Sequence, residues 1–135
     1  MKVIICLDDR GGMMFNGRRQ SKDRVLNADV VALSGGHLKM SQYSYAMFCD
    51  SGAVCTVSED FLDSAEHDDW CFVEDKTLAE HVDRIDTLAV YRWNRHYPSD
   101  KSLDIDIEAS GFTLAEAADL VGYSHEKITR EIYKK

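Results

Sequence analysis

The sequence has little proline, no paired cysteine motif and no long apolar run. Pro98 is the only proline, and none of the four cysteines forms a Cys-x-x-Cys pair. No stretch approaches the roughly eighteen apolar residues of a membrane-spanning helix. The apolar start is interrupted at once by Leu7-Asp8-Asp9, too soon for a signal peptide. These absences disfavour membrane, secreted and paired-cysteine metal proteins, and they predict a cytoplasmic protein with reduced thiols.

The composition is that of one globular domain with an acidic surface. A chain of 135 residues with 44% hydrophobic and 30% charged residues can bury a core, so residues 1–135 are predicted to form a single domain. The net charge of −8 disfavours general nucleic-acid binding, because the phosphate backbone selects for lysine and arginine. A small molecule or a basic protein partner is compatible with this charge.

The first half of the chain alternates predicted strands and helices. The β-branched stretch 2–8 predicts a buried strand, and a helix is expected from an N-cap at Ser21 to the Gly35-Gly36 pair. HLKM (37–40) predicts a short strand. Ser41 is a suitable N-cap for a second helix, QYSYAMF (42–48).

The second half contains mostly strands. Strands are predicted at 53–57, 70–74, 85–93, 103–108 and 125–135, with a short helix at 77–82. The segment LDIDIE (103–108) alternates apolar and acidic residues, as a half-exposed strand does. The order predicts an α/β domain in three layers, with a mainly parallel sheet and a C-terminal antiparallel edge hairpin.

The stretch GGMMFNGRRQSKDRVL (11–26) contains the candidate ligand site. The expected helix start directs unpaired N–H groups toward Arg18, Arg19, Gln20 and Ser21, which favours a phosphate or carboxylate ligand. Alternatively, the two arginines neutralise nearby acids. The nearby acids are Asp8, Asp9 and Asp23.

The chain resembles the dihydrofolate reductase family at three places. Gly12-Met13 is followed by a helix with an acid, Asp23, near its start. LKMSQYSYAMF is similar to that family's strand and helix V-I-M-G-R-K-T-Y-E-S. The last third, with IDTLAVYRW, LDID, GFTL and SHEKITREIY, resembles that family's final strands.

The resemblance implies a ligand site and a cofactor. Asp23 would bind an amino-heterocycle or help to protonate a substrate, although it is alternatively a helix acid that interacts with the dipole. Met13 and Phe15 would cover a flat ligand or, alternatively, form a core rim. The other implied ligand-binding residues are Gly12, Tyr43 and Ser44. NADPH is the implied cofactor, but the family's glycine-rich phosphate turn is Phe72-Val73-Glu74-Asp75-Lys76 here.

The chain also resembles short bacterial proteins with a G-M-x-F-N-x-R-R-Q-S-x-D opening, some labelled ribonuclease Z. The zinc centre of that enzyme needs a histidine cluster, whereas the five histidines here are scattered, so no metal site is predicted. Three functions stay open: a small-ligand (nucleotide- or pterin-like) binding protein, an NADPH-dependent reductase, and an acidic protein-interaction or inhibitor module. Whether the protein is an enzyme is left open.

Overall fold

A computed structural model describes all residues 1–135 as alternating strands and short helices. The helices are α1 (Arg24–Leu33), α2 (Gln42–Phe48), α3 (Phe61–Ser64) and a 3-10 helix (Ala79–Arg84). The strands are β1 (Lys2–Leu7), β2 (Gly12–Phe15), β3 (Arg18–Arg19), β4 (His37–Met40), β5 (Val54–Val57), β6 (Trp70–Phe72), β7 (Thr87–Arg92), β8 (Lys101–Ser102), β9 (Thr113–Leu120) and β10 (Ile128–Lys134). No helix is long and apolar enough to cross a membrane.

The main sheet has seven strands in the order β5-β4-β6-β1-β7-β10-β9. The first five are parallel neighbours, whereas β10 runs antiparallel to β7 and to β9. Side chains of β1 alternate between two core clusters, with Val3 and Ile5 on one face and Ile4 on the other. Helices α1 and α2 cover the Ile4 face through Leu26 and Phe48. The predicted α/β layers and C-terminal antiparallel edge are therefore confirmed.

Helix α1 begins two residues later than the capping pattern predicts. Its N-cap is Asp23, whose carboxylate accepts hydrogen bonds from the amides of Val25 and Leu26, so the prediction of Ser21 as the cap was wrong. The helix ends as predicted, because Gly35 and the glycine after it adopt positive φ angles of 66° and 84°. The predicted cap of α2 is confirmed, because the Ser41 side chain accepts a hydrogen bond from the backbone N–H of Ser44.

The alternating segment 103–108 is not a strand. Leu103, Ile105 and Ile107 pack against the core from an irregular segment, and Asp104 accepts hydrogen bonds from amides at the start of the 3-10 helix. The strand at this edge of the main sheet is instead β9. Its residues are exposed on both faces, so its sequence shows no alternation of apolar and polar residues. The alternation of apolar and acidic residues in 103–108 therefore reflects a loop that packs every second side chain against the core.

Residues 12–19 form a hairpin across the carboxyl ends of the parallel strands. Strands β2 and β3 pair antiparallel, and β8 completes this second, three-stranded sheet. The turn is Asn16-Gly17, with φ angles of 54° and 72°, which is the pattern of a two-residue hairpin loop. This hairpin brings the candidate ligand residues over the sheet.

The four cysteines are free thiols of differing exposure. Cys71 is buried, and burial raises its pKa to about 11. Cys6 and Cys55 are only half-buried, and Cys49 is exposed.

Candidate functional site

The candidate site lies where the parallel strands end and the β2–β3 hairpin crosses them. Asp8, Glu74 and Trp93 follow the carboxyl ends of β1, β6 and β7, and all three are buried. Side chains at this edge of a parallel sheet converge, which is why α/β proteins place ligands there. In this chain the hairpin supplies partners for these side chains.

Arg19 and Glu74 form a two-pronged ion pair beneath the hairpin. Arg19 Nε lies 2.8 Å from Glu74 Oε2, and Nη2 lies 3.0 Å from Oε1. Ser44 Oγ donates to the same Oε1 at 2.8 Å. The guanidinium stacks 4.5 Å from the centre of the Tyr43 ring, whose hydroxyl accepts the Arg19 backbone N–H. In these contacts the polar groups of Arg19, Tyr43 and Ser44 all bind other groups of the protein.

The ion pair closes the space behind the hairpin. Burial alone would lower the pKa of Arg19, but the hydrogen bonds and charge of Glu74 outweigh it and raise that pKa. The cavity left among Cys6, Met13, Arg19, Glu74 and Trp93 has a volume of about 10 Å³, room for about one water molecule. We call it the enclosed cavity. Met13 is 7% exposed and packs in the hydrophobic core.

Asp8 ties the turn after β1 to the rest of the site. Its carboxylate accepts the backbone N–H groups of Gly12 at 2.7 Å, Arg10 at 2.9 Å and Tyr97 at 3.2 Å. Burial would raise the pKa of Asp8, but these donors, with the side chain of Gln20, lower it below its usual value. The Asp8 charge is therefore balanced by hydrogen-bond donors.

Gly12 and Gln20 pack against each other. A Cβ atom at Gly12 would lie 2.6 Å from Gln20 Nε2 and 2.7 Å from Ser99 Oγ, so a larger residue would displace these side chains. Gln20 donates to Asp8 and to the carbonyl of Pro98. The structure gives both residues packing roles.

Asp23 caps α1 and anchors the loop before β10. One of its carboxylate oxygens accepts from Val25 N at 2.8 Å and Tyr123 N at 3.0 Å, and the other accepts from Ser124 N at 2.9 Å. His125 Nδ1 lies 2.8 Å from that second oxygen. Burial would raise the pKa of Asp23, but the Tyr123 amide, His125 and the other donors hold it well below its usual range. An ionised carboxylate with these partners fits the helix-acid alternative and not proton donation.

His125 is the residue that sequence reasoning missed. Its ring is 6% exposed, and its Nε2 lies 3.0 Å from Ser21 Oγ and 3.1 Å from the Tyr97 hydroxyl. The Trp93 ring lies 4.7 Å away, tilted by 33°. Ser21 and His125 are 104 positions apart, so no local pattern signals their contact.

An open cleft of about 870 Å³ separates α1 from α2. Its lining residues are Arg19, Lys22, Asp23, Arg24, Asn27, Ala28, Val31, Ala46, Met47, Asp50, Ser51, Tyr123 and Ser124. We call it the α1–α2 cleft. Lys22 and Arg24 are exposed and form no ion pair, and the Arg24 guanidinium lies 4.5 Å from the centre of the Tyr123 ring. Sequence reasoning did not select these two cations, because in a chain of net charge −8 any lysine or arginine is expected to find an acidic partner.

Phe15 and Arg18 lie outside the enclosed cavity. Phe15 is 47% exposed, and Arg18 forms no ion pair. Both line a surface recess of about 380 Å³ together with Tyr97 and Pro98. Thus the predicted arginine pair is divided: Arg19 points inward to an acid that was not predicted, and Arg18 stays on the surface. No group of three or more His, Cys, Asp or Glu side chains is arranged to hold a metal ion.

Comparisons with known proteins place the fold. No protein-family model matches the chain, and no curated protein matches it. Among solved structures, it is similar to dihydrofolate reductase from Enterococcus faecalis complexed with NADP(H) and RAB-propyl, with a TM-score of 0.63 and 13% sequence identity. The match covers 98% of this chain and 94% of that one. The chain therefore has a dihydrofolate-reductase-like fold.

Proposed function

We propose that the protein binds a small anionic molecule in the α1–α2 cleft. The observation that carries this proposal is the pair of unpaired cations, Lys22 and Arg24, at a cleft of about 870 Å³ in a chain of net charge −8. Exposed cations in such an acidic protein have many possible partners, yet these two have none. A phosphate or carboxylate would supply the missing negative charge.

The walls of the cleft suit a ligand with a flat apolar part. Val31 of α1, Met47 of α2 and the loop residue Tyr123 all line the cleft. Asn27 Oδ1 is buried without a hydrogen-bond donor, and Asn27 lines both the cleft and the enclosed cavity. A heterocycle bearing an amino group would provide a donor for such an oxygen. Nucleotides and pterins with a negatively charged tail combine these properties.

The solved neighbour supports this ligand class and leaves its binding mode open. That reductase is described as complexed with NADP(H), so a fold of this kind can hold a phosphate-bearing ligand. A reductase-like mode at the enclosed cavity is disfavoured for this chain, because the Arg19–Glu74 pair already occupies that space. Glu74 and Asp75 also stand where the resemblance requires glycine. We therefore propose binding rather than hydride transfer.

A thermal-shift titration tests the proposal. The panel consists of NADPH, ATP, GTP, a folate analogue and inorganic phosphate, each with the wild type, Lys22→Gln and Arg24→Gln. A ligand at about one hundred times its dissociation constant adds about 2.7 kcal/mol of stability, a shift of several degrees. We expect saturable stabilisation by at least one organic anion, and about tenfold weaker binding for each variant, since a charge-assisted hydrogen bond contributes about 1.5 kcal/mol or more.

Lys134→Gln is the matched control, because it removes the same charge at an exposed position at the end of β10. It should bind like the wild type. If no anion in the panel stabilises the protein, or if Lys134→Gln weakens binding as much as Lys22→Gln, the cleft is not the site. Stabilisation by inorganic phosphate alone would also count against an organic ligand.

A further inference from the structure

Ser21, His125 and Asp23 lie in a row at the start of α1. Ser21 Oγ is 3.0 Å from His125 Nε2, and His125 Nδ1 is 2.8 Å from Asp23 Oδ2. A hydroxyl, an imidazole and a carboxylate in this order form the arrangement that activates a serine nucleophile. Asp23 also lines the α1–α2 cleft, but the contacts among Ser21, His125 and Asp23 do not depend on a ligand in that cleft.

The Asp23 carboxylate determines which nitrogen of His125 carries the proton. An ionised carboxylate can only accept hydrogen bonds, so the Nδ1 atom facing it must be the donor. In the neutral ring, Nε2 is then the acceptor, and the Ser21 hydroxyl can donate to it. His125 is therefore prepared to remove a proton from Ser21.

The surroundings hold both partners of the serine in position. Asp23 is fixed by amides of α1 and of residues 123 and 124, and its side chain has no exposed surface. Trp93 lies against the His125 ring. A Cβ atom at Gly122 would lie 2.6 Å from the His125 carbonyl and 2.8 Å from Asp23 Oδ2, so the glycine permits this close approach. Such preorganisation is what a catalytic base requires.

Part of Ser21 is open to the surface, since the residue is only half-buried and lines the enclosed cavity. Tyr97 links it to the recess, because Tyr97 lines the recess with Phe15 and Arg18, and its hydroxyl lies 3.1 Å from the same His125 Nε2. The backbone N–H of Lys22, the residue after the serine, donates to no acceptor in the chain. An amide at that position commonly stabilises the oxyanion of acyl-transfer reactions.

We propose that Ser21 is the nucleophile of an acyl-ester hydrolase site, with His125 as general base and Asp23 as the positioning residue. The substrate class is a small activated ester, and Arg18 at the recess favours one that carries a carboxylate or phosphate.

The reaction balances with water as the only co-reactant. Ser21 Oγ bonds to the ester carbonyl carbon while its proton passes to His125 Nε2. The bond from that carbon to the alcohol oxygen then breaks, and the leaving oxygen takes the proton from His125. Water next attacks the acyl-serine, with His125 again accepting and returning the proton, which releases a carboxylic acid and restores Ser21.

Covalent labelling tests the nucleophile. The full chain is treated with a fluorophosphonate and digested, and the modified peptide is identified by mass spectrometry. We expect the adduct on Ser21, its loss in Ser21→Ala, and its retention in Ser64→Ala, an exposed serine of α3. Hydrolysis of p-nitrophenyl acetate should fall by about a hundredfold or more in Ser21→Ala. An adduct on another serine, or no adduct, overturns the proposal.

A cysteine at position 21 tests the base without needing a substrate. In Ser21→Cys, His125 should stabilise a thiolate at pH 6, so iodoacetamide should alkylate position 21 at least about tenfold faster than the exposed Cys49 in the same molecule. Adding His125→Gln or Asp23→Asn should remove the low-pH reactivity and leave only alkylation that rises at alkaline pH. Equal rates at both cysteines, or a pH profile that neither addition changes, would refute the proposed roles.

Discussion

The two sides of the chain between β3 and α1 use their positive charges differently. On the inner side, Arg19 is bound by Glu74, and the enclosed cavity measures about 10 Å³. On the outer side, Lys22 and Arg24 have no acid partner and line a cleft of about 870 Å³. The same short stretch of sequence therefore contains a charge that holds the fold together and charges that are free to meet a ligand.

The difference teaches that residue type alone does not identify a binding site. Arg18 and Arg19 are adjacent and chemically identical, yet only Arg19 has a buried partner. A charge already satisfied in the interior contributes stability and specificity of packing, and removing its partner leaves an uncompensated ion. A charge left unsatisfied at a concave surface is the better candidate for recognition.

The largest expected effect comes from breaking the inner ion pair. Arg19→Ala should lower the free energy of unfolding by about 3 kcal/mol or more, because it leaves Glu74 buried without a cation. The measurement is urea denaturation followed by circular dichroism. Arg18→Ala is the matched control and should change stability by no more than about 0.5 kcal/mol, since that side chain is exposed. Equal losses in the two variants would remove the distinction between them.

An intermediate effect is expected from acid. Asp8 and Asp23 have lowered pKa values in the folded protein, so their stabilisation is present above the unfolded-chain pKa of about 4. It is lost as pH falls through the lower, folded-state values. The free energy of unfolding should decrease below about pH 4. Asp23→Asn should reduce the decrease between pH 7 and pH 3 by about 1 kcal/mol, because pH 3 lies about one unit below the ordinary pKa of an aspartate.

Urea denaturation at pH 7, 5, 4 and 3 measures this dependence. Asp83→Asn is the control, since Asp83 is exposed and accepts no hydrogen bond in the structure. Its pH dependence should match that of the wild type. A wild-type stability that rises on acidification would contradict the lowered pKa values.

The smallest effect on stability is expected from filling the outer cleft. Ala28 is exposed on α1 and lines the α1–α2 cleft, so Ala28→Trp should leave the free energy of unfolding within about 0.5 kcal/mol of the wild type. The same indole should block a ligand in the cleft. The affinity for an anion, measured by thermal-shift titration, should therefore fall at least about tenfold. Unchanged binding by a folded Ala28→Trp protein would place the ligand elsewhere.

Local patterns predicted most of the fold. The apolar strand β1, the Ser41 cap of α2 and the glycine stop after α1 were recognised, because each depends on neighbouring residues only. The order of elements also predicted the parallel sheet and its antiparallel edge. The outer strand β9 was missed since its residues are exposed on both faces, and 103–108 was mistaken for a strand since its apolar residues contact the core from a loop.

Sequence reasoning selected the stretch 11–26 as a candidate site but did not identify the partners of its residues. The stretch from Gly12 to Asp23 lies across the carboxyl ends of the parallel strands. The partners of Arg19 and Ser21, however, are 55 and 104 positions away in the sequence. Many acids and histidines could have met them, and local pattern carries no information on which one does.

The sequence by itself determined the α/β class, the strand and helix order, and the concentration of chemically capable residues between β2 and α1. These follow from hydrophobic period, capping and turn residues, which act over a few positions. Only the tertiary structure decided that Arg19 faces inward, that Asp23 caps α1 and contacts His125, and that Lys22 is left free beside a cleft. Burial and pairing depend on residues distant in sequence that packing brings together, and these pairings separate structural charges from those available to a ligand.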